Sequence, residues 1–344
     1  MGLDITGRYR YPAPRAAWLA QHLEPVIDPD LPIIDPHHHI WEEAGNPYLL
    51  DDLIGDLDTG HHIEATVFVQ AHYGYRTSGP EELRCVGETE KATALAEEAQ
   101  HRGYRPLICA GIVGFADLLL GSSVTRVLEA HIEAGKGRFR GVRHSVSRDT
   151  NFPDGIVLRP AQAGLLGDVT YREGLAAVAR SGLSYDCMCY HQQIPELATM
   201  ARAVPDLAIV LDHYGTILGV GPYETNRAES FAAWRRDLAE LATCPNVSIK
   251  LGGMGMIICG PTWHEQPTPP DSATLADAWR PYVETCIELF GVDRCMFESN
   301  FPVDKAMYSY SVLWNAFKRL AAGASAAEKA ALFHDTATRF YRLG

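Results

Sequence analysis

No apolar run in the sequence approaches the roughly 20 residues that a membrane helix needs. The stretch Met1 to Asp28 carries Arg8, Arg10 and Arg15 but no apolar segment behind them, so neither a membrane partner nor a secretion signal is expected. Positive charge is short as well: 30 Lys and Arg stand against 43 Asp and Glu, for a net charge of −13. A solvated acidic surface repels phosphate backbones, which argues against nucleic acid as a partner. Gly-X-Ser-X-Gly, the nucleophile elbow of serine hydrolases, does not occur. Gly219-Val-Gly221-Pro222 lacks the strand and helix that would make it a dinucleotide loop. Cys187 and Cys189 share a strand face but have no second cysteine pair, so zinc is not expected there. The eight cysteines are scattered, several in apolar strand-like runs. They read as reduced, mostly buried thiols of a cytoplasmic protein. There is no internal repeat and no boundary between independent domains. The 344 residues read as one unit, with 1–31 an extended arm packed on it, 305–344 a pair of C-terminal helices, and a homo-oligomer compatible with the whole.

What is present is alternation. Short apolar, β-branched runs recur between longer helical stretches, the pattern of βα units around a parallel sheet. Eight strands are predicted: Pro32–His39, Ala65–Ala71, Leu107–Gly114, Phe139–Val146, Leu183–Tyr190, Leu207–Tyr214, Asn246–Gly252 and Arg294–Asn300. Most are too apolar for a sheet with one wet face. Helices are predicted over Glu81–Arg102, Glu224–Thr243, Ser272–Phe290 (with Ser272 as N-cap), Tyr308–Ala322 and Ser325–Tyr341. In the last, Ser325 and Glu328 fit a capping box. The fold expected is an α/β (β/α)8 barrel, whose chemistry sits at the C-terminal ends of its strands. Two connections, Gly215–Thr225 and Gly253–Asp271, are long for such loops and are expected beside the site.

The residues that can carry chemistry fall at those strand ends. In Asp35-Pro36-His37-His38-His39 the alternation of a strand puts His37 and His39 on one face and His38 on the other. Two imidazoles converging at a strand end can bind a divalent metal or polarise a carbonyl. His213, ending strand six, is a third imidazole at the same rim; its neighbour Asp212 is expected to point away. On strand eight, Glu298 and Asn300 are two apart and are expected to share a face. A glutamate pointing into an apolar barrel needs a cation or donors, or its pKa rises, and each option suits a general base or a metal ligand. Its competing reading is a salt bridge to Arg143 or Arg294. Arg143, on strand four beside His144, could hold a substrate carboxylate in a bidentate pair. Lys250, ending strand seven, is a candidate substrate cation. His191 and Gln193, after strand five, are candidate hydrogen-bond donors. His61 and His62 precede strand two and belong at the opposite end of the barrel.

Taken together, Asp35–Trp41, Gly111-Ile-Val-Gly114, Gly141–His144, Leu183–Gln193, Leu211–Gly215, Lys250-Leu-Gly-Gly253 and Met296–Pro302 resemble the amidohydrolase-related family of 2-pyrone-4,6-dicarboxylate lactonase, sulfomuconolactone hydrolase and sugar-acid lactonases. The resemblance runs from about Leu31 to the C-terminus. It implies that His37, His39 and His213 bind or polarise a substrate carbonyl, with one divalent metal ion (Zn2+ or Mn2+) or with none. It also implies an aspartate at the end of strand eight that activates water. Here that position is Asn300, in Glu-Ser-Asn-Phe-Pro where the family commonly has Gly-Ser-Asp-Trp-Pro. An amide cannot act as a base. Glu298, where the family pattern has glycine, is the candidate to take over and to join the three histidines around a metal. The expected activity is hydrolysis of a lactone or related acyl bond in a small carboxylated compound. Two other readings stay open: a metal-dependent decarboxylase of a small aromatic or unsaturated acid, and a non-catalytic barrel that binds a small ligand.

Overall fold

The structure, a computed structural model, describes residues 12–42, 46–151 and 160–344. A single helical turn, α1 (Ala16–Leu19), precedes β1 (Ile33–His38) and α2 (Leu50–Leu57), then β2 (Ile63–Val69) and α3 (Val86–His101), and β3 (Leu107–Gly114) and α4 (Thr125–Ala134). Next come β4 (Phe139–Val142) and α5 (Val169–Arg180), β5 (Ser184–Cys187) and α6 (Ile194–Ala203), and β6 (Ala208–Leu211) and α7 (Arg227–Ala242). The last units are β7 (Val247–Leu251) with α8 (Ser272–Phe290) and β8 (Cys295–Phe297) with α9 (Tyr310–Leu320). The chain ends in α10 (Ala326–Ala330), a π-helical turn (Ala331–Asp335) and α11 (Thr336–Tyr341).

All eight expected strands are present, side by side in chain order and parallel throughout. The seam between β8 and β1 is bridged just beyond β8: Asn300 N–H donates to His37 O at 2.9 Å and His39 N–H to Phe301 O at 2.7 Å. The sheet is thus a nearly closed (β/α)8 barrel. Both faces of its strands are covered, which is why they read as apolar runs rather than alternating ones; β1 is buried at every position. Alternation sends Ala65, Val67 and Val69 of β2 inward, with Ile34, Val113, Val210 and Met296. Phe68 points outward into the larger core beneath the helices. Ala337 and Tyr341 of α11 join the inner cluster. A Cβ on Gly111 of β3 would come within 3.2 Å of a Leu343 methyl, so the C-terminal segment closes the barrel floor.

Boundaries moved where caps and turns decide them. Asp271, not Ser272, caps α8: its carboxylate accepts from Thr274 N–H at 2.7 Å. The Ser272 hydroxyl is engaged instead by Glu24 and Arg319. The Ser325–Glu328 capping box is present, but the helix it starts is broken by the π turn. The segment before β1, expected to be extended, contains α1, with Trp18 Nε1 donating to Gln266 O at 3.0 Å. The part of the expected arm over residues 1–11 lies outside the described residues. Beside the two long connections expected, the one between β2 and α3, residues 70–85, is also long. All eight cysteines are buried and unpaired. No helix among the described residues is long and apolar enough to cross a membrane.

Candidate active site

The strand ends bring the imidazoles together. The His37 ring centre lies 4.9 Å from that of His39 and 4.5 Å from that of His213. His38 takes the opposite face, its Nε2 2.9 Å from the Thr66 hydroxyl. His39 Nδ1 lies 2.8 Å from Val69 O. A carbonyl cannot donate, so this nitrogen carries the hydrogen and His39 Nε2 presents a lone pair. That lone pair faces His37 Nε2 at 3.2 Å, and burial holds His39 well below the ordinary histidine pKa, hence neutral.

His213 reaches the same point by breaking the strand pattern. Val210 points inward, so alternation along β6 turns Asp212 inward and His213 outward. β6 stops at Leu211, however, and His213 has a left-handed backbone with φ 55°. This single turn swings its ring back over the barrel mouth. Asp212, expected to point away, therefore also lies in the site. Its carboxylate is 3.6 Å from His37 Nδ1, 3.1 Å from Lys250 Nζ and 3.5 Å from Arg143 Nη1. One ligand atom each from His37, Asp212 and His213 lie within 4.8 Å of one another. Nothing in the apolar run of β6 marks this; Asp212 was legible only from the inward position of Val210.

Glu298 neither lacks a partner nor pairs with arginine. Oε1 lies 2.6 Å from His213 Nδ1 and Oε2 lies 2.7 Å from His37 Nδ1, the second approach off the hydrogen-bonding direction. Arg294 donates to backbone carbonyls at the other end of its strand. Burial raises the Glu298 pKa, but His213 and His37 outweigh it and hold the carboxyl well below the usual range. Burial likewise disfavours a charged His213, yet Glu298 offsets this and its pKa is raised. Room for this pair comes from Gly252 and Gly253. A Cβ on the first would come within 2.4 Å of Glu298 Cγ, and one on the second within 2.4 Å of His213 Nδ1.

Two expected ligands of the substrate, Lys250 and Gln193, and the catalytic candidate Asn300 are engaged elsewhere. Lys250 is fully buried under His37, its Nζ 2.7 Å from Asp186 and 3.1 Å from His37 Nδ1. The Gln193 amide is spent on backbone: its oxygen accepts from Tyr190 and Arg148 N–H, and its nitrogen donates to Val146 O. Asn300 does not share the face of Glu298, because β8 ends at Phe297 and Asn300 is left-handed, with φ 56°. Its side-chain nitrogen donates to Asp304 at 2.8 Å. Arg143 does reach the histidines, with Nη1 3.2 Å from His37 Nε2, while Nη2 donates to Gln70 O. Its Nε, though buried, has no hydrogen-bond partner among the described residues. His144 stays at the rim, its Nδ1 accepting from Leu118 N–H at 3.2 Å and its ring between Phe115 and Tyr171. His191 accepts from Leu218 N–H through Nδ1, at 3.2 Å.

The rim after β2 has a support that the sequence did not reveal. Glu88 of α3 is fully buried, and its Oε1 accepts the N–H groups of Ala71 and Tyr73, both at 2.7 Å. These flank His72, which is left-handed. The same stretch offers Val69 O to His39 and Gln70 O to Arg143.

The donor set suits a divalent cation. Two nitrogens bound to one tetrahedral zinc at about 2.05 Å lie about 3.3 Å apart, close to the 3.2 Å between His37 and His39 Nε2. Arg143 Nη1 is the group that would yield its place.

The family described as Amidohydrolase matches residues 34–343. An uncharacterised protein of Sinorhizobium fredii is 33% identical, over 91% of this chain and 99% of its own length. The L-fucono-1,5-lactonase of Burkholderia multivorans is 26% identical, over 90% of this chain and 96% of its own. A solved amidohydrolase from Burkholderia multivorans, with bound zinc, superposes with a TM-score of 0.67 at 25% identity, covering 91% of this chain and 99% of that one. With a match running from β1 to the C-terminal segment, this chain belongs to the amidohydrolase family and is an enzyme of that type.

Proposed function

We propose that this protein hydrolyses a lactone or a related acyl bond of a small carboxylated compound. The observation that carries the reading is the Glu298 carboxylate set between two imidazole nitrogens, with His213 at 2.6 Å. A carboxylate held so far toward its ionised form is a weak base itself. It does what a buried carboxylate does behind a catalytic histidine: it fixes the tautomer and favours the charged ring. The base in this reading is His213, with Glu298 as the residue behind it. Water adds to the lactone carbonyl carbon as its proton passes to His213. When the ring C–O bond breaks, His213 returns that proton to the leaving alkoxide oxygen, and the product is a hydroxy acid. Arg143, an N–H donor beside His37 on the side of the barrel mouth, polarises the carbonyl or holds the substrate carboxylate through its Nε. His37 and His39, with Asp212, would hold a divalent metal ion, which supplies Lewis-acid polarisation of the carbonyl when bound.

The relative's name puts sugar-acid 1,5-lactones first on the test panel, beside carboxylated lactones. Product analysis decides: ring-opened hydroxy acid, one acid equivalent per substrate, is expected. Carbon dioxide release, or no turnover across the panel, would overturn the reading.

A further inference from the structure

Lys250 does not reach the mouth of the barrel, and what it does touch leads to the far end of the chain. Its ammonium is held by Asp186 of β5 at 2.7 Å and by Asp212 at 3.1 Å, and it lies 3.1 Å from His37 Nδ1. The same Asp186 oxygen accepts the Tyr341 hydroxyl of α11 at 2.6 Å. Lys250 also sits over the Tyr341 ring, 5.4 Å from its centre. Tyr341, Asp186, Lys250 and His37 are all fully buried. A continuous polar chain therefore runs from the C-terminal helix, through the barrel floor, to one nitrogen of one site histidine.

His37 is the residue on which such a chain can act. Lys250 donating at Nδ1 favours a hydrogen on Nε2, which can then go to the His39 lone pair 3.2 Å away. Glu298 at Nδ1 and the Arg143 N–H at Nε2 favour the opposite tautomer. Only that second tautomer offers the Nε2 lone pair to a cation. The position of Lys250 thus weighs on which ring nitrogen of His37 is available. Asp186 has one oxygen without a hydrogen-bond partner among the described residues, so its orientation rests on Lys250 and Tyr341.

We infer that Tyr341, Asp186 and Lys250 are positioning residues that set the hydrogen of His37, so that the C-terminal helix completes the active site from below. In its consequence for turnover the inference rests on the hydrolase reading; in its consequence for His37 it does not. The alternative is that these residues merely fill and hold the floor.

Tyr341→Phe separates the two, since it keeps the ring, its volume and the contact with Lys250 and removes one hydroxyl. Ring-nitrogen NMR of the full chain, with the His37 signals assigned through His37→Asn, reads the tautomer directly, and competition against a chelator reads Zn2+ affinity. The inference expects displaced His37 signals and Zn2+ binding strengthened by about tenfold, because a loosened Lys250 leaves Nδ1 to carry the hydrogen and the Nε2 lone pair to the cation; the size is the lower end of what indirect supports of metal-ligating histidines are worth. With a turned-over lactone, kcat falls and KM stays within about twofold. Unchanged His37 signals with unchanged Zn2+ affinity, beside a lowered Tm, would overturn it and leave a structural floor. If the wild type binds no Zn2+, the NMR comparison alone decides, and failure of lactone hydrolysis leaves it standing. Should Tyr341→Phe not fold, Asp186→Asn is read in the same way.

Discussion

Glu298 separates the competing accounts of the site most sharply, because each gives it different neighbours. A glutamate paired with a buried arginine, once neutralised, would strand a permanent charge and cost about 3–5 kcal/mol of stability. Its partners here are His37 and His213, and an imidazole can shed its proton. Glu298→Gln is therefore expected to stay folded, with a stability loss below about 3 kcal/mol. Turnover should fall by about 10²–10⁴, because His213 loses the charge that raises its pKa. Steady-state kinetics beside thermal melts check both halves; full turnover in a normally stable variant would remove Glu298 from the mechanism. His37, His39 and Glu298 were legible in the sequence because strand alternation alone brings them to one face. Asp212 and Lys250 were misread for opposite reasons. The turn at His213 lies beyond the reach of alternation, and Lys250 looks like a rim cation until its depth, set by the register of β7 against β8, is known.

At the level of elements, the segment after β2 carries the most consequence. It hangs from one buried carboxylate of α3, and it offers the carbonyls that orient His39 and Arg143. Burial pushes the Glu88 carboxyl up to about 7 from its ordinary value near 4.5. The folded state therefore keeps a proton that the unfolded chain releases, and stability falls as pH rises from about 4.5 to about 7. The gap between those values corresponds to roughly 3 kcal/mol. Glu88→Gln keeps the accepting oxygen and cannot ionise, so its Tm should exceed that of the wild type at pH 8 and converge with it near pH 4. Asp35 and Asp304, each raised to about 6 by burial, add slopes of the same sign to both proteins, and the difference isolates Glu88. Parallel melting curves across that range would contradict the assignment. The strands themselves were legible, since residues buried on two faces leave long apolar runs. Glu88 was not, because it sits in a helix rich in Glu where only tertiary packing tells a buried carboxylate from a solvated one.

For the molecule as a whole, a (β/α)8 barrel hosts many reactions, and membership of the family fixes the scaffold rather than the substrate. The chemistry follows from what converges at the strand ends: three imidazoles, an ionised carboxylate between two of them, and one arginine. In the proposed reaction His213, backed by Glu298, moves the proton in hydrolysis. Acid release from a lactone substrate, followed at constant pH for the wild type and for His213→Gln, tests it most directly. Glutamine keeps polarity and approximate size but accepts no proton. One acid equivalent per lactone from the wild type, with kcat in the variant lower by about 10²–10⁴, is the result expected; a variant that releases acid at the wild-type rate would contradict it.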